Sequence, residues 1–305
     1  MPASAQSWPQ RPVRIIVPFA SASSPDVLAR AFNERLGQRL GQPVIIENRP
    51  GAGGNTGTDF VAKAAPDGHT LIVSTNGPLV YNTVMYKKLP YDPFNDLAPI
   101  TLLAVQPNVC VATSGLGIRT VREWVDALRK NPGKFNYAST GVGSMSQLSI
   151  ELIKLRTGTF AVHIPYASSP LAVTAMLQGD VHMACLPAVA VMPQVRAGKL
   201  AALAVTAGDR NPQFPDVPTL KESDFPEIEA LAWMALLAPA RTPPEIVDQL
   251  AREIAQILKS PETVERLQRA YIDVVAGTPT ALSQFMRDEL RVWTPVIKRS
   301  GATID

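Results

Sequence analysis

The stretch VRIIVPFASASSPDVLARAF, residues 13–32, guides the interpretation of the rest of the chain. It opens with a short run dominated by β-branched residues, which is typical of a buried strand. A tract of small side chains follows, and apolar residues then recur at helical spacing from Val27. Ser24 is predicted as the helix N-cap, Pro25 suits the first turn, and Asp26 adds negative charge there. The pattern therefore predicts a strand, a loop of small residues and a helix N-terminus.

This arrangement can bind an anion without any lysine or arginine, because the first N–H groups of a helix have no partner inside it. Hydroxyl groups in the preceding loop would add further donors. An ordinary first strand-to-helix turn of an α/β protein has the same pattern. Both interpretations stay open on this stretch alone.

The composition indicates a globular protein of two domains. A chain of 305 residues is longer than most single cores. Hydrophobic residues make up 46% and charged residues 18%, which favours a folded chain over a disordered one. The 29 basic and 26 acidic residues are scattered and leave a net charge of +3, which argues against a nucleic-acid partner. No apolar run reaches about 18 residues, so no membrane span is predicted.

Two short features bear on the cellular compartment. Residues 3–6, Ala-Ser-Ala-Gln, are typical of the small-residue end of a secretory signal whose apolar part is absent, so export is expected; a random Ala- and Ser-rich tail is the alternative. Cys110 and Cys185 both lie in apolar, strand-like runs, which favours two free buried thiols over a bridge.

Strands alternate with helices along the chain, which predicts an α/β fold with a mostly parallel sheet. Strands are predicted at residues 13–17, 44–46, 70–73, 101–105, 109–112, 134–138, 161–166, 181–185, 200–205 and 231–239. The first helix is predicted to end near Leu40, with Gly41 as its C-cap. Later helices are predicted after the Gly-rich loop 48–55, after Thr120 as N-cap, around residues 148–155 and 173–177, and over 246–258 and 282–297. Residues 211–226 are interpreted as a surface connection.

The opening pattern occurs again in the second half of the chain. The strand at residues 134–138 leads into Ser139-Thr140-Gly141-Val142-Gly143-Ser144-Met145-Ser146 and then a helix. Ligands of open α/β sheets bind beyond the carboxyl ends of the strands. We therefore expect two loops of this kind, one in each domain, to face each other across a cleft.

Many short motifs stand in one order along nearly the whole chain. They are Val17-Pro18-Phe19, Glu47-Asn48-Arg49-Pro50-Gly51-Ala52-Gly53-Gly54-Asn55, Ala65-Pro66-Asp67-Gly68, Lys88-Leu89-Pro90-Tyr91-Asp92-Pro93, Asn136-Tyr137-Ala138-Ser139 with Gly141-Val142-Gly143-Ser144, Pro165-Tyr166, Ala197-Gly198-Lys199-Leu200 and Asp216-Val217-Pro218-Thr219. In this order and spacing the chain resembles the Bug proteins, the TctC-type periplasmic solute-binding proteins of tripartite tricarboxylate transporters.

The resemblance implies an α/β, two-domain periplasmic-binding-protein fold (type II-like), with two crossover strands and an interdomain ligand cleft. Domain 1 is expected to comprise residues 1–103 and 236–305, and domain 2 residues 104–235. The implied function is capture of a small aliphatic or aromatic carboxylate by hinge closure and its delivery to TctA- and TctB-like membrane subunits. No enzymatic activity, cofactor or metal is expected, and the protein is expected to be a monomer.

The resemblance also implies the ligand-binding residues, partly through bridging waters. They are Phe19, Ala20, Ser21, Ala22, Ser23, Ser24 and Asp26; Ser74, Thr75 and Asn76; Ser139, Thr140, Gly143 and Ser144; and Tyr166, Ala167, Ser168 and Leu186.

The chain departs from the family pattern in three places. Relatives commonly have a Pro- and Gly-rich loop where this chain has residues 20–24, and Tyr-Lys-Gly where it has Tyr166-Ala167-Ser168. Many members carry an aspartate near Leu186, which this chain lacks. An acidic partner for a ligand amine is therefore missing, which favours mono-, di- or tricarboxylates over amino acids.

Other chemistries find weaker support. The run 51–56 is one glycine short of a dinucleotide fingerprint and follows the second strand, so a tight turn with close helix packing explains it better. His69, His163 and His182 lack metal-ligand spacing. A Gly-x-Ser-x-Gly elbow is absent, although a spatial Ser-His-Asp triad is not excluded by residue order. An enzyme on a similar fold and a co-receptor for a membrane sensor kinase stay open as alternatives.

Overall fold

The computed structural model describes residues 8–226 and 228–302, so the predicted signal remnant at residues 3–6 lies outside the described residues. The chain forms two compact units. Unit 1 comprises Met1–Val105 and Trp233–Arg291, and unit 2 comprises Gln106–Ala232 and Val292–Asp305. The predicted domain boundaries after residues 103 and 235 lie close to two of these changes of unit. The independence of the two halves as domains stays a prediction.

The described elements, in chain order, are β1 (Val13–Val17), α1 (Ser24–Leu40), β2 (Val44–Asn48), α2 (Asn55–Ala62), β3 (Thr70–Thr75), α3 (Asn82–Met85), β4 (Leu97–Thr113), α4 (Val121–Lys130), β5 (Asn136–Ser139), α5 (Met145–Thr157), β6 (Val162–Pro165), α6 (Ser169–Gln178), β7 (Met183–Pro187), α7 (Ala188–Arg196), β8 (Leu200–Val205), β9 (Leu231–Pro239), α8 (Pro244–Leu258), α9 (Pro261–Gln268), β10 (Asp273–Val274) and α10 (Pro279–Ser300).

Unit 1 is built on a sheet in the strand order β2-β1-β3-β9-β4, with β10 paired to β4. β1 lies parallel to β2 and β3, with Ile15 opposite Ile46 on one side and Leu71 on the other. β9 runs antiparallel to β3. Since β1 and β3 are parallel neighbours, the loops that follow them leave the same edge of the sheet.

The core of unit 1 lies between this sheet and α1 and α8. Leu28, Phe32 and Leu36 are fully buried and follow one another at four-residue spacing, which places them on one face of α1. Leu250 and Ile254 of α8 belong to the same hydrophobic cluster. The predicted end of α1 is confirmed, since Gly41 follows Leu40 in the left-handed conformation with φ of 70°.

Unit 2 is built on the order β4-β7-β5-β6, and β8 pairs with β4. β5 is parallel to β6 and β7, whereas β4 is antiparallel to β7. The predicted cap of α4 is confirmed: the Thr120 hydroxyl accepts from the Glu123 N–H, and the Glu123 carboxylate accepts from the Thr120 N–H.

The structure corrects several details of the predicted elements, which also lacked α3, α7 and β10. Ser23, not Ser24, is the N-cap of α1, and its side chain makes no capping hydrogen bond. The two strands predicted at 101–105 and 109–112 form one strand, β4. Its residues up to Val105 pair with β10 and those from Asn108 pair with β7, so Pro107 lies between the two paired segments. The sequence analysis did not predict helix α9, because this helix is short, has few apolar residues and lies between two longer helices.

A further correction concerns residues 211–226. This segment is more than a surface connection, because Phe214, Leu220 and Phe225 are buried. Thr219 also forms a parallel bridge with Val205 at the end of β8. Its prolines and acidic residues are typical of a surface loop, but its buried apolar side chains contribute to the core of unit 2.

The expectation of free thiols is wrong: Cys110 and Cys185 form a disulfide. The two residues lie directly opposite each other in the antiparallel pair of β4 and β7. Both are fully buried. The pairing follows from strand register across 75 residues, which local sequence does not reveal.

We predict that replacing both cysteines with alanine lowers the free energy of unfolding by about 4 kcal/mol, because the bridge closes a long loop in the unfolded chain. Denaturant unfolding of the variant beside the wild type measures this. Thiol titration of the unreduced protein in guanidinium is the control, and two reactive thiols per chain would contradict the bridge.

Candidate functional site

The loop before α1 is held by the buried carboxylate of Asp26. One carboxylate oxygen accepts from the Ala22 N–H at 2.9 Å, and the other accepts from the Asn48 amide at 2.9 Å. Arg30 donates to both oxygens at 3.0 Å. Burial opposes ionisation, but the hydrogen bonds from Arg30, Asn48 and the Ala22 N–H outweigh it and hold the pKa of Asp26 below its ordinary value.

This arrangement gives Asp26 a role in shaping the loop. Its oxygens accept hydrogen bonds from the Ala22 N–H, Asn48 and Arg30, and its direct contact with a ligand stays a prediction. Asn48 completes the arrangement by donating to the Phe19 carbonyl at 3.1 Å. Ala22 adopts a φ of 63°, a left-handed conformation that usually favours glycine.

The Gly-rich loop packs tightly against the same region. A Cβ on Gly54 would lie 2.6 Å from Pro78 and 3.1 Å from the Phe19 ring. A Cβ on Gly57 would lie 2.8 Å from Pro18. These close approaches support the prediction of a tight turn with close helix packing.

The end of β3 presents a buried hydroxyl without a partner. Ser74 is fully buried, and its Oγ makes no hydrogen bond. Ser23 Oγ, on the loop before α1, is likewise buried without a partner. Such groups are uncommon because an unpaired buried hydroxyl costs about 1–3 kcal/mol. Two of them therefore occur in the loops for which a ligand was predicted.

Asn76, one residue beyond β3, belongs to a polar network inside unit 1. Its amide donates to the Tyr81 hydroxyl at 3.4 Å, and that hydroxyl donates to Glu289 at 2.6 Å. Trp233 also donates to Glu289, at 2.8 Å. Burial, and then the charge and hydrogen bond of Glu289, raise the pKa of Tyr81 well above its ordinary value. The phenol therefore stays protonated, as a donor to Glu289 requires.

The loop between β5 and α5 uses its hydroxyls internally. The Thr140 N–H donates to Ser146 Oγ at 2.9 Å, and Ser144 Oγ donates to the Gly141 carbonyl at 2.6 Å. The Gly143 N–H donates to the Gln147 side chain at 2.8 Å. Since these groups shape the loop, the donors that it offers at the start of α5 are first-turn N–H groups, which have no acceptor inside a helix.

The remaining predicted residues of unit 2 lie in different surroundings. The Tyr166 N–H donates to the Ser139 carbonyl at 3.0 Å, which fixes the start of the next loop. Partial burial, with a smaller effect of Asp180, raises the pKa of the Tyr166 phenol. Ser168 is the N-cap of α6 and Ala167 is exposed. Leu186 is fully buried in β7, next to the disulfide, and its contact with a ligand stays a prediction.

Two open grooves on the surface contain none of the predicted site residues. One, of about 470 Å³, is lined on unit 1 by Arg14, Phe60 and Lys63, among others. The other, of about 330 Å³, is lined on unit 2 by residues that include Arg122 and Asp224, which form an ion pair. Over the described ranges, no cluster of three or more metal-ligating side chains occurs. Nor does any helix in that part of the chain combine the length and apolarity of a membrane span.

We predict that Asp26→Ala lowers the free energy of unfolding by about 2 kcal/mol at neutral pH, because the Ala22 N–H, Asn48 and Arg30 lose a buried acceptor. Since the pKa of Asp26 is lowered in the folded state, this contribution is present above the ordinary carboxyl pKa of 3.8 and decreases as the pH falls below it. Denaturant unfolding at several pH values measures the difference. Asp126→Ala, which removes only an exposed ion pair with Arg129, is the control; an equal loss in both variants would contradict the role of Asp26.

Comparison with known proteins identifies the family. The profile described as "Tripartite tricarboxylate transporter family receptor", TctC, matches residues 28–302. Protein BugT of Bordetella pertussis is 37% identical over 304 residues, which cover 99% of this chain and 93% of BugT.

Solved structures agree with this assignment. Rpa4515 of R. palustris, determined with adipate, is 33% identical with a TM-score of 0.91, over 97% of this chain and 99% of that one. MatC (Rpa3494) of Rhodopseudomonas palustris, with bound malate, is 32% identical with a TM-score of 0.87, over 95% of this chain and 100% of that one. The predicted periplasmic-binding-protein fold and the predicted family are both confirmed. The chain belongs to TctC, the family of solute-binding receptors of tripartite tricarboxylate transporters.

Proposed function

We propose that this protein is a periplasmic receptor that captures a small carboxylate and delivers it to the membrane subunits of a tripartite tricarboxylate transporter. One observation carries the choice of ligand class: the predicted site loops offer hydroxyl and helix N-terminal donors, including the buried, unpartnered Ser74 Oγ. Adipate and malate, found in the two R. palustris relatives, are both dicarboxylates and make this class the first to test.

The loops of unit 1 supply one set of donors. Ser23 and Ser74 each have a buried Oγ that can donate to a carboxylate oxygen. The helix N-terminus at Ser24 adds first-turn N–H groups, and its dipole contributes roughly 0.3–1 kcal/mol toward a bound anion, or up to about 2 when partly buried. Asp26 keeps this loop in shape but adds negative charge of its own. Arg30, which is bonded to Asp26, offsets that charge.

The loops of unit 2 supply the second set of donors. The start of α5, after Ser144, and the start of α6, after Ser168, provide helix N-terminal N–H groups. The Tyr166 phenol is protonated at neutral pH and can donate a hydrogen bond. A dicarboxylate carries two anionic groups, and the donors of this second set are of the same neutral kind as those of the first.

No lysine or arginine occurs within the predicted ligand loops at residues 19–26, 74–76, 139–144 and 166–169, all of which the structure describes. Neutral donors therefore provide most of the affinity. A hydrogen bond to a charged group contributes about 1.5–3 kcal/mol, so four or five of them, less the cost of ordering ligand and loops, are sufficient for micromolar affinity.

We predict that a matching dicarboxylate stabilises the protein by about 2.7 kcal/mol at a hundredfold excess over Kd. Thermal unfolding with a carboxylate panel that includes adipate and malate measures this, and a matched panel of amines is the control. No shift with any carboxylate would overturn the proposal. Mass spectrometry of the bound ligand tests for turnover, which would favour an enzyme.

We further predict that Ser74→Ala weakens carboxylate binding roughly 10- to 150-fold, the loss of one hydrogen bond to a charged group. Its ligand-free stability is expected to be equal to or higher than that of the wild type, because Ser74 Oγ has no partner to lose. Calorimetric titration and denaturant unfolding measure the two effects.

Ser149→Ala is the matched control, since Ser149 is also fully buried but donates to the Met145 carbonyl at 2.7 Å within α5. Unchanged affinity in Ser74→Ala would exclude Ser74 from the site, while the panel result would still stand.

A further inference from the structure

We propose that His163 is a positioning residue of the ligand loop: its Nε2 fixes the hydroxyl of Ser139, which in turn holds the backbone N–H of Gly141. This inference rests on the proposed function, because it assigns His163 to the loop that we propose as part of the ligand site. The sequence analysis noted of His163 only that it lacks the spacing of a metal ligand.

The strand register brings the two side chains together. β5 and β6 are parallel, and His163 lies opposite Tyr137, two residues before Ser139 on the same face of β5. The His163 ring stacks on Tyr137, with centroids 4.9 Å apart and an interplanar angle of 22°. In this position Nε2 lies 2.6 Å from Ser139 Oγ.

Ser139 links the ring to the loop backbone. It is fully buried, and its Oγ accepts from the Gly141 N–H at 3.1 Å. A neutral His163 that carries its proton on Nδ1 accepts a hydrogen bond from the Ser139 hydroxyl at Nε2. The Ser139 hydroxyl then donates to His163 Nε2 and accepts from the Gly141 N–H. The carbonyl of Ser139 meanwhile accepts from the Tyr166 N–H, so both predicted loops of unit 2 meet at this residue.

The charged groups near the ring come from α5. Glu151 accepts from the Tyr137 hydroxyl and from Lys154, whose Nζ lies 2.7 Å away. Both side chains are almost fully buried. Burial lowers the pKa of His163 to about 4; Glu151 opposes this shift and Lys154 supports it. The ring is therefore neutral at neutral pH, as the hydrogen bond from Ser139 requires.

Protonation would reverse this bond. An Nε2–H would donate to Ser139 Oγ, and the serine proton would have to turn toward another acceptor, such as the Gly141 carbonyl 3.1 Å away. The neutral ring with its proton on Nδ1 thus keeps the Ser139 hydroxyl in one orientation. Because the pKa of His163 lies below its unfolded value of 6.5, the folded state loses stability as the pH falls from about 6.5 to about 4.

The first test needs no ligand. Nitrogen-15 NMR of histidine-labelled wild-type protein reports the tautomer and the titration of His163, with His163→Gln identifying its signal. We expect a neutral ring with the proton on Nδ1 and a midpoint near pH 4. A ring that is charged at pH 7, or one that carries its proton on Nε2, would overturn the proposal.

The second test measures affinity by calorimetric titration with adipate and malate. His163→Leu, which removes the acceptor, is expected to weaken binding at least tenfold, whereas His163→Gln, whose amide oxygen can replace Nε2, should stay within about threefold. Adding Ser139→Ala to His163→Leu should weaken binding no further, because both substitutions remove the same hydrogen bond between the two side chains. If the leucine variant does not fold, the affinity of the glutamine variant and the NMR of the wild type still test the positioning role of His163.

The outcomes separate the two proposals. If the wild type binds neither probe nor any carboxylate of the panel, the proposed function fails, while the NMR result still tests the His163–Ser139 bond. If the wild type binds and both His163 variants lose affinity equally, the packing of the ring matters and the positioning role is refuted. If both variants bind as the wild type does, His163 has no part in the loop.

Discussion

The loop at the start of α1 depends on one buried carboxylate. Asp26 accepts hydrogen bonds from the Ala22 N–H, Asn48 and Arg30, and these contacts join the loop, the end of β2 and the first turn of α1. Without that acceptor, the partly buried hydrogen bonds from these three donors would be lost. The constraint explains how a loop of alanines and serines keeps a defined shape, including the left-handed Ala22.

The two units use hydroxyl groups for different purposes. In unit 2, Ser139, Ser144 and Ser146 are bonded to one another or to the loop backbone, so they shape the loop. In unit 1, Ser23 and Ser74 are buried without a partner. A receptor that holds an anion with neutral groups needs both kinds: hydroxyls that fix the backbone donors in place, and hydroxyls that remain to donate.

Local pattern and family resemblance predicted most of the fold, because strand runs, the Thr120 cap and Gly41 are each set by neighbouring residues. They did not predict features that depend on how distant strands pair. The Cys110–Cys185 bridge and the His163–Ser139 bond both follow from register, and each partner alone looks like a buried side chain. Spacing placed Asp26 in the first turn of α1, but it did not show that Ala22, Asn48 and Arg30 donate to its carboxylate.

The disulfide has a practical consequence for following how this receptor is made. Cys110 and Cys185 are separated by α4, β5, α5, β6 and α6, and no other cysteine occurs in the chain. Only one bridge within the chain is therefore possible, and mispairing within one molecule cannot occur. The loss of both thiols in a single chain reports that β4 has met β7, so a thiol-reactive mass tag distinguishes newly made chains from those in which unit 2 has assembled.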